Sequence, residues 1–169
     1  MGRLKNRLFA KLFARFPKLL DRAVAKMEPV KTEGIPWAPF TKRLKDSTIA
    51  IVTTAGVHLK GQRPFDMRDK DGDPSFRALP SDTPVNGYMI THDYYDHSDA
   101  DKDINIVFPI DRLKEMEMAG VIKAAAKVNY GFMGHILGSH VKALIKKTAP
   151  EVASRLKKEN CDAVLLTPG

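Results

Sequence analysis

Apolar side chains recur every three to four residues along residues 1–30, with basic side chains between them. The recurring positions are Leu4, Leu8, Leu12, Phe16, Leu20, Val24 and Met27. This spacing is typical of an amphipathic helix with a basic opposite face. The sequence therefore predicts a helical leader over residues 1–30, bent at Pro17 because proline lacks the amide donor that a helix interior requires.

After the leader, the helical stripe gives way to short apolar runs separated by polar segments. Residues 31–47 are rich in proline and glycine and predict a linker, and residues 61–86 predict a long loop. Four runs predict strands: 48–54, 87–91, 121–126 and 162–167. Three segments predict helices: one that begins at Asp111 as its N-cap and ends near Gly120, one over 139–147, and one from Pro150 to about 160.

Strands that alternate with helices indicate an α/β fold. Residues 48–169 are therefore predicted to form a parallel, Rossmann-like sheet with flanking helices, preceded by the amphipathic leader. Ligands of such sheets gather at the carboxyl ends of the strands. The loops after Thr54, Thr91, Ala126 and Thr167 become candidate site loops.

The net charge of +8 is concentrated in the leader. Residues 1–31 carry +7 and the rest of the chain +1, and a nucleic-acid-binding body would need a concentrated basic face of its own. We therefore expect no nucleic-acid partner. The leader has three interpretations: a helix that docks on the domain or a second subunit, which amphipathic stripes favour, a membrane-surface helix, or a targeting segment.

Cysteine content and hydropathy bear on disulfide bonds, membrane spans and the cellular compartment. Cys161 is the single cysteine, so no internal disulfide forms. Its apolar surroundings at the start of a predicted strand favour a structural role. No apolar run approaches the length of a membrane span, and we expect a cytoplasmic protein.

Six segments, in the same order along the chain, resemble segments of a known protein family. They are WAPFTKRLKD (37–46), AGVHLK (55–60), GDPSFRALP (72–80), DINIVFPIDRL (103–113), YGFMG (130–134) and LKKENCDAVLLTPG (156–169). Together they resemble the selenoprotein B family of glycine, sarcosine, betaine and D-proline reductases, and most closely its D-proline branch. The resemblance covers nearly everything from Ile35 to Gly169 and is weaker in the leader.

The resemblance implies reductive cleavage of a C–N bond next to a carboxylate. In the family a partner subunit carries a pyruvoyl-type carbonyl that activates the amine, a selenolate attacks the α-carbon, and a dithiol donor restores the selenium. The selenocysteine, or cysteine in some relatives, would come directly after Gly169, and this chain would bind no other cofactor. Because UGA is also a stop codon, we expect the amino-terminal part of a longer selenoprotein, inactive alone; a genuine short paralogue is the alternative.

Five residues become candidates for the site. His58, just beyond the first strand, and His92, just beyond the second, are supporting acid–base residues; the alternative for His58 is a histidine merely hydrogen-bonded in a loop. Arg77 is a candidate to bind the substrate carboxylate through its planar fork. Asp96 and Tyr130 are candidates to line the pocket, with a packed aromatic as the alternative for Tyr130.

Two other functions stay open. The stretch from His92 to Asp103 contains seven potential metal ligands, and a metal-dependent hydrolase or lyase would use them. Their spacing matches no established metal motif, so a solvated acidic loop is favoured and no metal is expected. The other alternative is a non-catalytic partner module that docks through the leader.

Overall fold

The computed structural model describes residues 2–25, 34 and 38–169. The chain divides into two compact units, one within Met1–Thr41 and Asp93–Asp96, the other comprising Lys42–His92 and His97–Gly169. The predicted boundary between leader and linker, at residues 30 and 31, lies outside the described residues.

The first unit is helical. It contains α1 (Gly2–Arg15) and α2 (Pro17–Val24), which are separated at Phe16. The break agrees with the bend predicted at Pro17, which begins the second helix because its missing amide is not needed there. The Nε atom of Arg3 lies 2.5 Å from a carboxylate oxygen of Asp93, whose side chain is buried.

The second unit is a mixed α/β domain. Its described strands are β1 (Thr48–Thr53), β2 (Val57–Leu59), β3 (Arg77–Pro80), β4 (Tyr88–Ile90), β5 (Ala124–Ala125), β6 (Val128–Gly131) and β7 (Ala163–Thr167). Its described helices are α3 (Ile110–Met118), α4 (Gly138–Ala143) and α5 (Ala149–Lys158), the last two joined by a π-helical turn at Leu144–Thr148. The predicted class, a mostly parallel sheet with flanking helices, is confirmed.

Strand β1 is the centre of the sheet. It pairs in parallel with β7 on one side, and with β5 and then β6 on the other. Strand β3 adds to β6 in antiparallel fashion, and β2 forms a separate antiparallel pair with β4. The apolar, β-branched TIAIVT sequence of β1 suits this position because the strand has neighbours on both edges.

Four sequence predictions need correction. The strand predicted at 121–126 is shorter than expected: only Ala124–Ala125 form β5, because Gly120 and the residues after it form the turn that ends α3, and β6 follows at Val128–Gly131. The predicted loop 61–86 contains β3, and the loop after Thr54 contains β2. Asp111 is not the N-cap of α3, because the helix begins at Ile110 and the side chain of Asn105 accepts the Asp111 amide hydrogen at 3.0 Å.

One face of the sheet packs against α5. We call this cluster the α5 core; it consists of Ala50, Ala126, Tyr130, Phe132, Val152 and Leu156. The ring of Tyr130 meets that of Phe76 edge-on at a centroid distance of 5.7 Å. Tight aromatic and aliphatic packing of this kind is the main source of the domain's stability.

Candidate functional site

The carboxyl ends of several strands meet at one edge of the second unit. After β1 the chain continues through Ala55 and Gly56, and the Gly56 amide donates to the Phe132 carbonyl at 2.9 Å. Gly56 has a φ of 76°. A Cβ at this position would lie 2.5 Å from the Thr91 carbonyl oxygen, so the segment after β4 approaches as closely as glycine allows.

The segment after β6 packs against the same edge of the second unit. A Cβ on Gly131 would lie 2.2 Å from the Val57 carbonyl oxygen. Three residues later, the Gly134 amide donates to Nε2 of His92 at 3.3 Å. The glycines of YGFMG therefore let two backbones cross at contact distance.

The segment after β7 reaches this edge as well. A Cβ on Gly169 would lie only 2.3 Å from the Cα of Ala55, which is itself fully buried. The hydroxyls of Thr53 and Thr167 both donate to the Val107 carbonyl, at 2.9 and 2.7 Å. We call Ala55, Gly56, His92, Gly134 and Gly169 the carboxyl-edge site.

This convergence agrees with three of the four predicted site loops. The segments after Thr54, Thr91 and Thr167 meet here. The loop predicted after Ala126 does not, because Ala126 lies between β5 and β6 and the strand that reaches this edge ends at Gly131. Sequence reasoning missed Ala55, Gly131 and Gly134 as residues that shape the site; the glycine spacing of YGFMG was the available signal.

His92 is the predicted acid–base residue that lies within the carboxyl-edge site. Its side chain is buried, and its Nε2 atom accepts the Gly134 amide hydrogen. A ring nitrogen that accepts a hydrogen bond carries no proton, so the neutral ring is protonated on Nδ1. The structure thus holds one tautomer of His92 in place.

His58 is fully buried beside this site. Its Nδ1 atom lies 2.8 Å from the Leu59 carbonyl oxygen and its Nε2 atom 2.8 Å from the Thr91 hydroxyl. Burial lowers the pKa of His58, and the nearby Arg77 acts in the same direction. The ring is therefore neutral near pH 7, with Nδ1 donating and Nε2 accepting.

Arg77 begins β3 and is paired in register with Gly131, at the same edge of the sheet. It lines an open pocket of about 660 Å³ that also contains Arg63, three aspartates and His140. Protein groups already accept hydrogen bonds from its guanidinium: the carbonyls of Arg63, Pro64 and Phe76 and the hydroxyl of Ser75. A substrate carboxylate would have to displace some of these acceptors.

Tyr130 and Cys161 lie in and against the α5 core, and Asp96 is part of the other unit. Tyr130 is a member of the α5 core, and burial raises its pKa. Asp96 belongs to the helical unit. Cys161 packs against the α5 core, and burial raises the pKa of its thiol, which disfavours the reactive thiolate.

The acidic stretch from His92 to Asp103 is held by local pairs. His97 Nδ1 lies 2.8 Å from Asp101, and Lys102 lies 2.8 Å from Asp99. Within residues 2–25, 34 and 38–169, no three His, Cys, Asp or Glu side chains are grouped so as to hold a metal ion. Separately, none of the helices in the described part of the chain has the length and apolar character needed to cross a membrane.

Comparison with known proteins identifies the family. Residues 21–169 match the model of the glycine/sarcosine/betaine reductase selenoprotein B family, and the chain belongs to that family. It is 49% identical over 133 residues to the D-proline reductase subunit gamma of Acetoanaerobium sticklandii, covering 79% of this chain and 53% of that protein. No solved structure matches the chain at a significant level.

Two further relatives belong to other reductases of this kind. The chain is 32% identical over 164 residues to the glycine reductase complex component B subunit gamma of Symbiobacterium thermophilum. The alignment covers 91% of this chain and 37% of the relative. It is 28% identical over 144 residues to the betaine reductase complex component B subunit beta of Peptoclostridium acidaminophilum. That alignment covers 81% of this chain and 31% of the relative. The chain thus spans about half the length of the first relative and about a third of the other two.

Proposed function

We propose that this chain forms the amino-terminal part of a reductase subunit that cleaves the C–N bond of an amino acid, with D-proline as the first candidate substrate. Family membership and the 49% identity to a D-proline reductase subunit support the class and the candidate substrate. The observation that carries the proposal is the convergence of four chain segments at the carboxyl-edge site. In α/β proteins this is the edge where ligands bind.

The proposed redox residue is a selenocysteine or cysteine that follows Gly169 in the full-length product. When present, it supplies a nucleophile whose ionised form is the reactive one. The position is supported by Gly169, which lies directly against Ala55 and brings the end of β7 into the site. Cys161 is a poor alternative, since burial raises its pKa.

The proposed reaction needs a two-electron donor and a carbonyl partner. One C–N bond of the substrate breaks, a dithiol supplies two electrons and two protons, and the products are an amino acid with a free amine and a disulfide. For D-proline the product is the ring-opened 5-aminopentanoate. A partner subunit with a pyruvoyl-type group would bind and activate the substrate amine, in a cytoplasmic complex.

In this proposal, His92 orients the site and holds a proton at Nδ1. Its Nε2 atom accepts the Gly134 amide hydrogen, so the neutral ring positions the segment after β6 against the carboxyl-edge site, and its predicted acid–base role stays a prediction. His58 acts indirectly, because its contact with this edge passes through the Thr91 hydroxyl. Arg77, Asp96 and Tyr130 stay predictions as substrate-binding residues.

The first experiment is to read the gene beyond the codon for Gly169. The proposal expects TGA, a continuing open frame and a downstream hairpin able to recruit selenocysteine, or else a cysteine codon at that position. A TAA or TAG codon would remove the nucleophile and contradict the proposed chemistry.

The second experiment measures the full-length product with its partner subunit and a dithiol. We expect 5-aminopentanoate from D-proline, and a loss of up to about a hundredfold in kcat for His92→Gln, because a site displaced by about 1 Å loses on that order of rate. Cys161→Ala should retain activity because it leaves the proposed nucleophile in place. His97→Gln is the matched control, since it removes a histidine that pairs with Asp101. Equal losses in His92→Gln and His97→Gln would contradict the role of His92.

A further inference from the structure

Helix α1 exposes an apolar ladder. Leu4, Leu8 and Leu12 follow one another at intervals of four residues, and their side chains are 80%, 69% and 39% exposed. Side chains at this spacing lie along one face of a helix. Leu19 and the aromatic rings of Phe9 and Phe16 are exposed as well, so the apolar surface continues beyond the ladder.

A different face of α1 is packed. Ala10 is 6% exposed, Asn6 and Phe13 are half-buried, and Arg3 pairs with Asp93 within the same unit. Amphipathic helices normally bury their most apolar stripe. Among the described residues of this unit, the leucines stay exposed while Ala10, Asn6 and Phe13 make the contacts. The leucines are therefore available to a partner.

A basic ladder runs beside the leucines. Arg3, Arg7, Lys11 and Arg15 also recur at intervals of four, each one residue before or after a leucine or phenylalanine. Residues 1–20 contain six basic side chains and no acidic one. Like charges at this spacing repel one another in water, so an anionic surface would stabilise the helix. The family model matches residues 21–169, and α1 precedes that range.

We propose that α1 binds the surface of an anionic lipid bilayer, with the leucine ladder in the outer acyl region and the basic ladder among the headgroups. This pairing of an apolar stripe with flanking Lys and Arg is the pattern of interfacial helices. Long basic side chains can extend from an apolar contact to the headgroups. An acidic protein partner fits less well, because the outward face of α1 offers no amide, hydroxyl or carboxylate that would fix the orientation of a folded surface.

The test is co-sedimentation of the 169-residue chain with vesicles. The probes are phosphatidylcholine vesicles with and without about one-third phosphatidylglycerol, because anionic lipid supplies the negative surface potential. We expect binding to the anionic vesicles, weakened at least about tenfold when salt is raised from about 0.1 to 1 M, since the Debye length shrinks. Binding to the neutral vesicles should be weak.

Two variants separate the ladders. Replacing Arg7, Lys11 and Arg15 together with glutamine should reduce binding by about tenfold or more, through lost attraction to the headgroups. Leu8→Gln with Leu12→Gln should also reduce it, without a change in charge. Both variants leave the Arg3–Asp93 pair in place.

Matched controls lie in the other unit. Replacing Lys146, Lys157 and Lys158 with glutamine removes the same number of exposed charges, and Leu166→Gln removes an exposed leucine. Neither change should affect binding. Equal binding to neutral vesicles, equal loss in the controls, or self-association through Leu8 and Leu12 without vesicle binding would overturn the proposal.

Discussion

The carboxyl-edge site and the α5 core are built from the same short motif in opposite ways. In YGFMG, Tyr130 and Phe132 fill the α5 core with large rings. Gly131, between them, meets the Val57 carbonyl at a distance that leaves no room for a Cβ, whereas a Cβ on Gly134, after them, would lie 3.2 Å from the Thr54 carbonyl oxygen. Alternate residues of a strand point to opposite sides, so Gly131 faces away from the ring of Tyr130, and one motif supplies both a packed core and a close backbone crossing.

The difference shows that one motif can carry two kinds of constraint. In the α5 core the requirement is side-chain volume, and another residue of similar shape is tolerated. At the carboxyl-edge site the requirement is the absence of a side chain. A family resemblance based on the letters of the motif does not separate these requirements, whereas substitutions do.

The largest effect is expected in the core. Tyr130→Ala should lower the free energy of unfolding by about 4 kcal/mol, the loss typical of an aromatic residue truncated in a core. Tyr130→Phe should cost about 1 kcal/mol or less, since it retains the ring and loses only the hydroxyl contact with Arg155. Urea unfolding of the chain measures both. Similar losses in the two variants would mean that the hydroxyl, not the volume, matters.

A smaller but substantial effect is expected at the close crossing. Gly131→Ala should lower the free energy of unfolding by about 3 kcal/mol, because the new methyl group meets the Val57 carbonyl and the backbone must shift. Gly61→Ala is the matched control: nothing lies within 4 Å of a Cβ there, and it should change stability by about 0.5 kcal/mol or less. A tolerated Gly131→Ala would show that the crossing is looser in solution.

Sequence patterns predicted the fold class because β1 and β7 are continuous apolar runs, which suits strands within a parallel sheet. They failed where an element is short or its signal is mixed. Strand β2 has three residues and includes a buried histidine. Strand β3 ends in proline inside a segment rich in turn-forming residues.

The candidate site was predictable only in part. The rule that ligands gather at strand ends located the segments after Thr54, Thr91 and Thr167. It could not show that Tyr130 faces α5 or that protein carbonyls accept the hydrogen bonds of the Arg77 guanidinium. Both facts depend on tertiary packing. The contact of Gly134 with His92 joins residues 42 positions apart, and no local pattern encodes it.

Acid should affect stability through His58, which is fully buried in β2. Burial lowers its pKa in the folded state, so below its ordinary pKa of 6.5 the unfolded chain binds a proton that the folded chain resists. Stability is therefore full above that pH and falls as the pH drops towards the folded-state pKa, by at most about 1.4 kcal/mol per pH unit. Urea unfolding at pH 7.5 and 5.5 should show a smaller decrease for His58→Gln. An identical decrease in the variant would assign the effect to other groups.

The smallest effect is expected on β7, which delivers Gly169 to the carboxyl-edge site. Its backbone pairs with β1 from Ala163 to Thr167, yet the Leu166 side chain is 72% exposed. Leu166→Ala should change the free energy of unfolding by about 0.5 kcal/mol or less, because little apolar area is lost from contact. Leu156→Ala, in the α5 core, should cost about 3 kcal/mol by the same measurement. A loss of free energy for Leu166→Ala as large as that for Leu156→Ala, and growing with protein concentration, would mean that a second molecule covers β7 in solution. The contrast between β7 and the α5 core would then hold only for the isolated chain.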